Sequence, residues 1–174
     1  DGPPLRERPE DIHLLTGPLM AQQELNRVYL RKLDPDRLLS RFRKEAGLEA
    51  KAPPYRGWES ESPFLPGHIL GFYMSGAAMT VQATGAEVLR QRLDYIVDQL
   101  AEVQQAHGSG YMLAVPNGKA LFAGIASGHI EIDGLPWNGY QINGQFEPPY
   151  TMHKLLLGLY HIVLAPDSVK ARQV

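Results

Sequence analysis

Cysteine is absent from all 174 residues. That removes disulfides, zinc–thiolate centres and a cysteine nucleophile from what this chain can supply. An excess of one charge sign is also missing: 17 Lys and Arg stand against 19 Asp and Glu, for a net charge of −2. No basic stripe offers itself to nucleic acid, and no polybasic amphipathic segment to a membrane surface. No signal-peptide apolar core is present, and a first residue of Asp reads as a processed or trimmed N-terminus. What remains is ordinary for a globular protein, 44% hydrophobic and 21% charged. The length suffices for one domain with a real core.

The chain is organised around the stretch Gly57 to Ala83. It opens on Gly57-Trp58-Glu59, passes Pro63 and Pro66, and enters a helix near Gly67-His68. Ile69, Leu70, Phe72, Tyr73, Met74, Ala77, Ala78, Met79 and Val81 make that helix apolar on nearly every face. A helix apolar all round is buried all round. At about 16 residues it falls short of the ~20 of a membrane span. It therefore reads as an inner helix of a soluble protein, with His68 and the Trp58-Glu59 loop at one end.

Before it, residues 1–10 form a Pro-rich, charged extended arm, anchored by Ile12, Leu14 and Leu15. Thr16-Gly17-Pro18 opens an amphipathic helix with Leu25, Val28, Tyr29 and Leu33 on its apolar side. Asp34-Pro35 starts a shorter one, burying Leu38, Leu39 and Phe42 and stopping at Gly47. A long loop spans Lys51 to Pro66. After the central helix, Thr84-Gly85-Ala86-Glu87 is either a capping box or a helix end with Gly85 at C′. Leu89, Leu93, Ile96, Val97, Leu100 and Val103 then form one stripe of a helix ending at His107-Gly108.

Gly108 to Pro149 holds eight glycines. Short strands are expected at Tyr111–Val115 and His129–Ile132, the second ending in an Asp133-Gly134 turn, with a helical turn near Leu121–Ala126. Trp137, Tyr140, Phe146 and Tyr150 give the region the aromatic content of a binding surface. A last buried helix opens at Tyr150 with His153 in its first turn. Half-exposed helices thus alternate with buried ones, and both buried helices start with a His after a Pro/aromatic loop. A double-layered ring of helices has this pattern, with both His at one end.

Taken together, LLTGPLMAQQELNRVYLRKLDPDRLLSRFRKEAGL, YRGWE, GHILGFYMSGAAM, RLDYIVDQLAEVQ, GYMLAVPNGKALF and PPYTMHKLLLGL resemble, in their order and spacing, the catalytic domain of the β-L-arabinofuranosidase family of glycoside hydrolases, family 127. The resemblance covers about Ile12 to Leu164. It implies a mainly α fold, part of an (α/α)6 barrel or helical toroid, with a loop-rich region carrying short strands. A closed ring of that kind needs roughly twice this length, so residues 1–174 read as a single domain or fragment from the N-terminal portion. The resemblance further implies action on terminal sugars of plant-type glycans and a secreted or periplasmic setting, with the cytoplasm as the alternative.

Two departures from the family matter. Phe72 stands where the family often has a second His, in Gly-His-x-x-Gly-His-Tyr. The family's cysteine nucleophile, its zinc ligands and its acid/base Glu have no counterpart here, so no catalytic residue, metal ligand or cofactor is expected in this chain. The expected partners are a carbohydrate and either the remainder of the catalytic domain or a second copy, with neither nucleic acid nor membrane.

The substrate-binding candidates are His68, His153, Trp58, Glu59 and Tyr150. Imidazole nitrogens suit sugar hydroxyls. A Trp in a Pro-rich loop either fills core or stacks on a sugar. Glu59 either caps a helix or bonds a ligand. Glu147 lacks the second carboxylate, about 5–9 Å away, that ordinary glycosidases use. His13, His107, His129 and His161 read as structural or surface residues, and Lys154 as an ion-pairing one. The alternative function is a non-catalytic glycan-binding or helical interaction protein on the same fold.

Overall fold

Pro18 and Pro35 sit at the first helical positions of the first two helices, where a missing N–H costs nothing. The computed structural model describes residues 8–59, 65–136, 139–165 and 170–172. Helix α1 runs Pro18–Lys32 and α2 Pro35–Glu45. Asp34 caps α2, its Oδ1 accepting from the Asp36 N–H at 2.9 Å. Helix α3 spans His68–Thr84, α4 Glu87–His107, α5 Gly118–Ala126 and α6 Pro148–Leu164.

Gly85 takes φ 65° and its N–H bonds to the Val81 carbonyl at 2.8 Å, so it ends α3 as a left-handed C-cap. The capping box does not form: the Thr84 hydroxyl donates back to Thr80 O. The tight connection folds α4 antiparallel onto α3. All six residues of the α4 stripe are buried. Helix α6 lies along α3 in the same direction. Gly71 sits against Lys154, Gly158 against Gly71 and Met74, and Ser75 Oγ lies 2.6 Å from His161 Nδ1, so residue numbers rise together along the seam. This is the most extensive packing among the described elements.

Helix α2 is more deeply buried than its charge would indicate. Leu38, Leu39 and Phe42 are covered as expected, but so are Ser40, Arg41 and Arg43. Arg43 donates to Glu102 Oε2 and Gln99 Oε1, both at 2.8 Å, and to Glu49 O at 2.7 Å, which compensates its charge inside the fold.

Several expectations fail. Pro9–Asp11 forms a 3₁₀ turn rather than extended arm, and Ile12 and Leu15 are exposed instead of anchored. On α1, Leu30 is buried while Leu25, Val28 and Tyr29 face solvent. Of the expected apolar face only Leu33, at the helix end, is partly buried against the core, and the buried residue of the helix itself, Leu30, stands beside that face. Helices α3 and α6 are not buried all round: Phe72, Met79, Leu156, Tyr160 and Leu164 are exposed.

Tyr111–Val115 is not a strand. It is unpaired chain whose Met112–Val115 side chains are all buried against helices. The strands lie later: β1 Ile132–Gly134, β2 Tyr140–Ile142 and β3 Gln145–Phe146, antiparallel in the order β1-β2-β3. Ile132 faces Ile142, and Gln141 faces Phe146. Asn143 and Gly144, at φ 49° and 78°, make the two-residue hairpin loop, so the turn is Asn-Gly rather than Asp133-Gly134. The expectations for residues 1–7, Pro63 and Trp137 lie outside the described residues.

Candidate functional site

The site is built at the end where α3 and α6 begin. Gly67 turns into α3 with φ 90°, a conformation open to Gly without penalty. A side chain there would also meet Phe42 Cζ at 2.7 Å and Ala114 Cβ at 2.8 Å. The 3₁₀ turn Gly57–Glu59 lies within hydrogen-bonding reach of this start. Glu59 reaches down from it and accepts from Gly67 N–H at 2.8 Å and Ile69 N–H at 3.0 Å. Helix α3 has no side-chain cap from its own N-cap residue, so Glu59 satisfies donors that would otherwise be orphaned. The carboxylate is buried. The geometry therefore gives Glu59 the capping arrangement, and its negative charge sits at the positive end of the helix.

The same contact orients His68. Its Nδ1 lies 2.6 Å from Leu65 O and 3.3 Å from Glu59 Oε1. A carbonyl oxygen can only accept, so Nδ1 carries the proton, and Nε2 is the ring atom left for a ligand. Around this buried ring stand Trp58 at 5.9 Å between centroids, Phe72 at 6.0 Å and Tyr150 at 6.2 Å. Trp58 is 60% exposed. Lys154 Nζ lies 4.7 Å from the Tyr150 ring centre and 5.1 Å from that of Phe72. Such cation–π contacts are worth about 0.5–1 kcal/mol when exposed, and more when desolvated.

Four of the five candidates therefore converge: Trp58, Glu59, His68 and Tyr150. His153 is exposed and lies in the second turn of α6, since that helix begins at Pro148 rather than Tyr150. It shares a helix face with Tyr150 through the i, i+3 relation. Lys154 and Phe72 join the cluster although neither was among the candidates. The signal for both was in the sequence: Tyr150 and Lys154 are i, i+4 on one helix, and His68 and Phe72 i, i+4 on another.

Chemically, the cluster offers an exposed indole, a fixed imidazole with Nδ1 engaged, a phenol and an ammonium. It can stack against a ring and hydrogen-bond to hydroxyls. Glu59, its carboxylate, is committed to backbone. For a metal the residues do not fit: among the described residues no three His, Asp or Glu side chains group to hold an ion, and cysteine is absent. No helix of the described residues is long and apolar enough to cross a membrane.

Comparison with protein families finds a match over residues 11–174 to the catalytic-domain model of β-L-arabinofuranosidase, glycoside hydrolase family 127. Among curated proteins, none matches the chain.

Proposed function

Since this chain belongs to the family of β-L-arabinofuranosidase-like catalytic domains of glycoside hydrolase family 127, we propose that it forms the N-terminal part of an (α/α)6 barrel and supplies sugar-contacting residues rather than the nucleophile. The observation that carries this reading is the cluster of Trp58, His68 and Tyr150 where two parallel helices begin. Parallel α3 and α6, with antiparallel α4 following α3, agree with the inner and outer layers of such a ring. A neutral sugar suits the cluster because its C–H face lies against an aromatic ring while its hydroxyls meet His68 Nε2 and the Tyr150 hydroxyl. His153, on the same face of α6, completes the set.

Under this reading Glu59 positions His68 rather than touching sugar. The nucleophile and the zinc of the family come from outside these residues, and no chemical step is assigned to this chain.

Titration calorimetry with L-arabinose tests the proposal. Trp58→Ala, at an exposed position, and His68→Ala should each weaken binding about tenfold, the loss of roughly one good contact. Unchanged affinity in both variants would remove the site. The 174-residue chain should not turn over an aryl β-L-arabinofuranoside, and zinc-dependent hydrolysis by it would overturn the division of labour. A second reading, a glycan-binding protein without turnover, is favoured by Phe72 in the place of the family's second His. Hydrolysis by a polypeptide that carries this chain together with a complete catalytic domain would decide against it.

A further inference from the structure

A hollow of about 480 Å³ opens between the C-terminal ends of α2 and α4 and the first turn of α5. It takes no part in the cluster just described. Glu45, His107, Tyr111, Asn117 and Lys119 line it. Its polar groups are only partly used by the fold. One oxygen of Glu45 accepts from the Asn117 N–H at 3.1 Å, and the other accepts no hydrogen bond from the described residues. Lys119 Nζ donates to His107 O at 2.6 Å, which leaves two further N–H donors. The Tyr111 hydroxyl donates to Val115 O at 3.2 Å and keeps its lone pairs. His107 Nε2 is buried and has no hydrogen-bond partner among the described residues. The Asn117 amide is exposed at the uncapped start of α5.

Charge narrows the ligand class. A carboxylate and an ammonium share the hollow, so a ligand of either sign meets repulsion from one of them. Burial, with Lys119 nearby, keeps the His107 imidazole below its usual pKa and so neutral. Burial also pushes the Glu45 carboxyl up, against the Asn117 N–H and Arg41. Donors and acceptors thus alternate over a few residues. A sugar hydroxyl can donate one bond and accept two, and vicinal hydroxyls present these roles side by side. The volume lies in the range of small-molecule sites, ~300–1,000 Å³.

Position supplies the rest. Helix α4 runs antiparallel to α3, so His107 lies at the end where α3 starts, and Ala114 of the intervening chain abuts Gly67. The hollow and the Trp58–His68–Tyr150 cluster therefore open at the same end of the helical array.

We infer that this hollow is a second carbohydrate subsite, which holds a neutral sugar unit of a glycan longer than the one unit taken at the cluster. The inference rests on the carbohydrate reading given above. Its test compares L-arabinose with a panel of neutral tri- and tetrasaccharides by calorimetry, and maps protection by hydrogen–deuterium exchange. Lys119→Ala and Glu45→Gln should weaken oligosaccharide binding about tenfold each while leaving L-arabinose affinity unchanged. Oligosaccharide should also protect residues 105–119 beyond what L-arabinose does. Oligosaccharide affinity equal to that of the parent in both variants, with protection confined to the cluster, overturns the subsite and leaves the first site standing. Absence of binding at either place overturns both readings together.

Discussion

Glu59 accepts two backbone N–H groups at the start of α3 and lies beside the His68 imidazole. Removing its carboxylate leaves those donors buried and unmet, at a cost of about 1–3 kcal/mol. Glu59→Ala is therefore expected to lower the thermal midpoint clearly and to weaken L-arabinose binding, since the ring loses its support. Glu59→Gln, which keeps one acceptor, should fall between it and the parent, while Trp58→Ala lowers binding with little change in stability. A second residue-scale effect depends on pH. The Arg43 guanidinium holds the Glu102 carboxyl below its usual range. A depressed folded-state pKa means that the pair's stabilisation is complete above the unfolded carboxylate value and is lost as pH falls through the lowered one. The unfolding midpoint of Glu102→Gln should thus match the parent's more closely in acid than near neutrality. A gap between the two that stays constant with pH would remove this account.

At the scale of elements, the α3–α6 seam depends on two glycines with no Cβ to spare. A Cβ on Gly71 would come within 2.2 Å of Lys154 O, and one on Gly158 within 2.8 Å of Gly71 O. The obstacles are backbone atoms, which cannot rotate away. Overpacking of this kind costs about 1–3 kcal/mol. Gly71→Ala should reach or exceed the upper end, measured by denaturant unfolding, and should separate Tyr150 from His68 and so impair sugar binding too. Gly124 in α5 makes the contrast. Its nearest atom to an added Cβ is 3.8 Å away, so Gly124→Ala should be neutral or stabilising by up to about 1 kcal/mol through helix propensity. Equal losses at Gly71 and Gly124 would show that close approach is not what the seam requires.

Across the whole molecule, apolar surface is left uncovered on three helices. Leu19, Leu25 and Tyr29 of α1, Phe72 and Met79 of α3, and Leu156, Tyr160 and Leu164 of α6 are all exposed. Apolar burial is worth about 25 cal/mol per Å², and monomers seldom leave patches beyond a few hundred Å² in water. The barrel reading places further helices over these faces. The chain on its own should therefore self-associate or bind an apolar dye, as light scattering and dye fluorescence would report. A dilute, dye-silent monomer would count against the barrel.

The sequence by itself determined where most helices begin and end, because those signals are local. Asp34-Pro35, Gly85 and Gly108 act through backbone groups a few residues away, and the α4 stripe repeats along one helix. It also marked His68, Trp58 and Tyr150, each beside a helix start. It misjudged the hairpin, although Asn143-Gly144 was the stronger turn signal, and it made a strand of Tyr111–Val115, whose burial comes from helices distant in sequence. Only the tertiary structure decided that Glu59 caps α3, that the Lys154 ammonium on α6 meets the Phe72 ring on α3, and that His153 stays at the edge of the cluster. Those outcomes depend on how two parallel helices are placed at a Gly71–Gly158 contact, and no periodicity along one segment encodes the rotation of another segment against it. Nor does an apolar stripe carry its own cover: the face of α1 reads as buried in the sequence, and it lies open because burial belongs to a pair of surfaces and not to one.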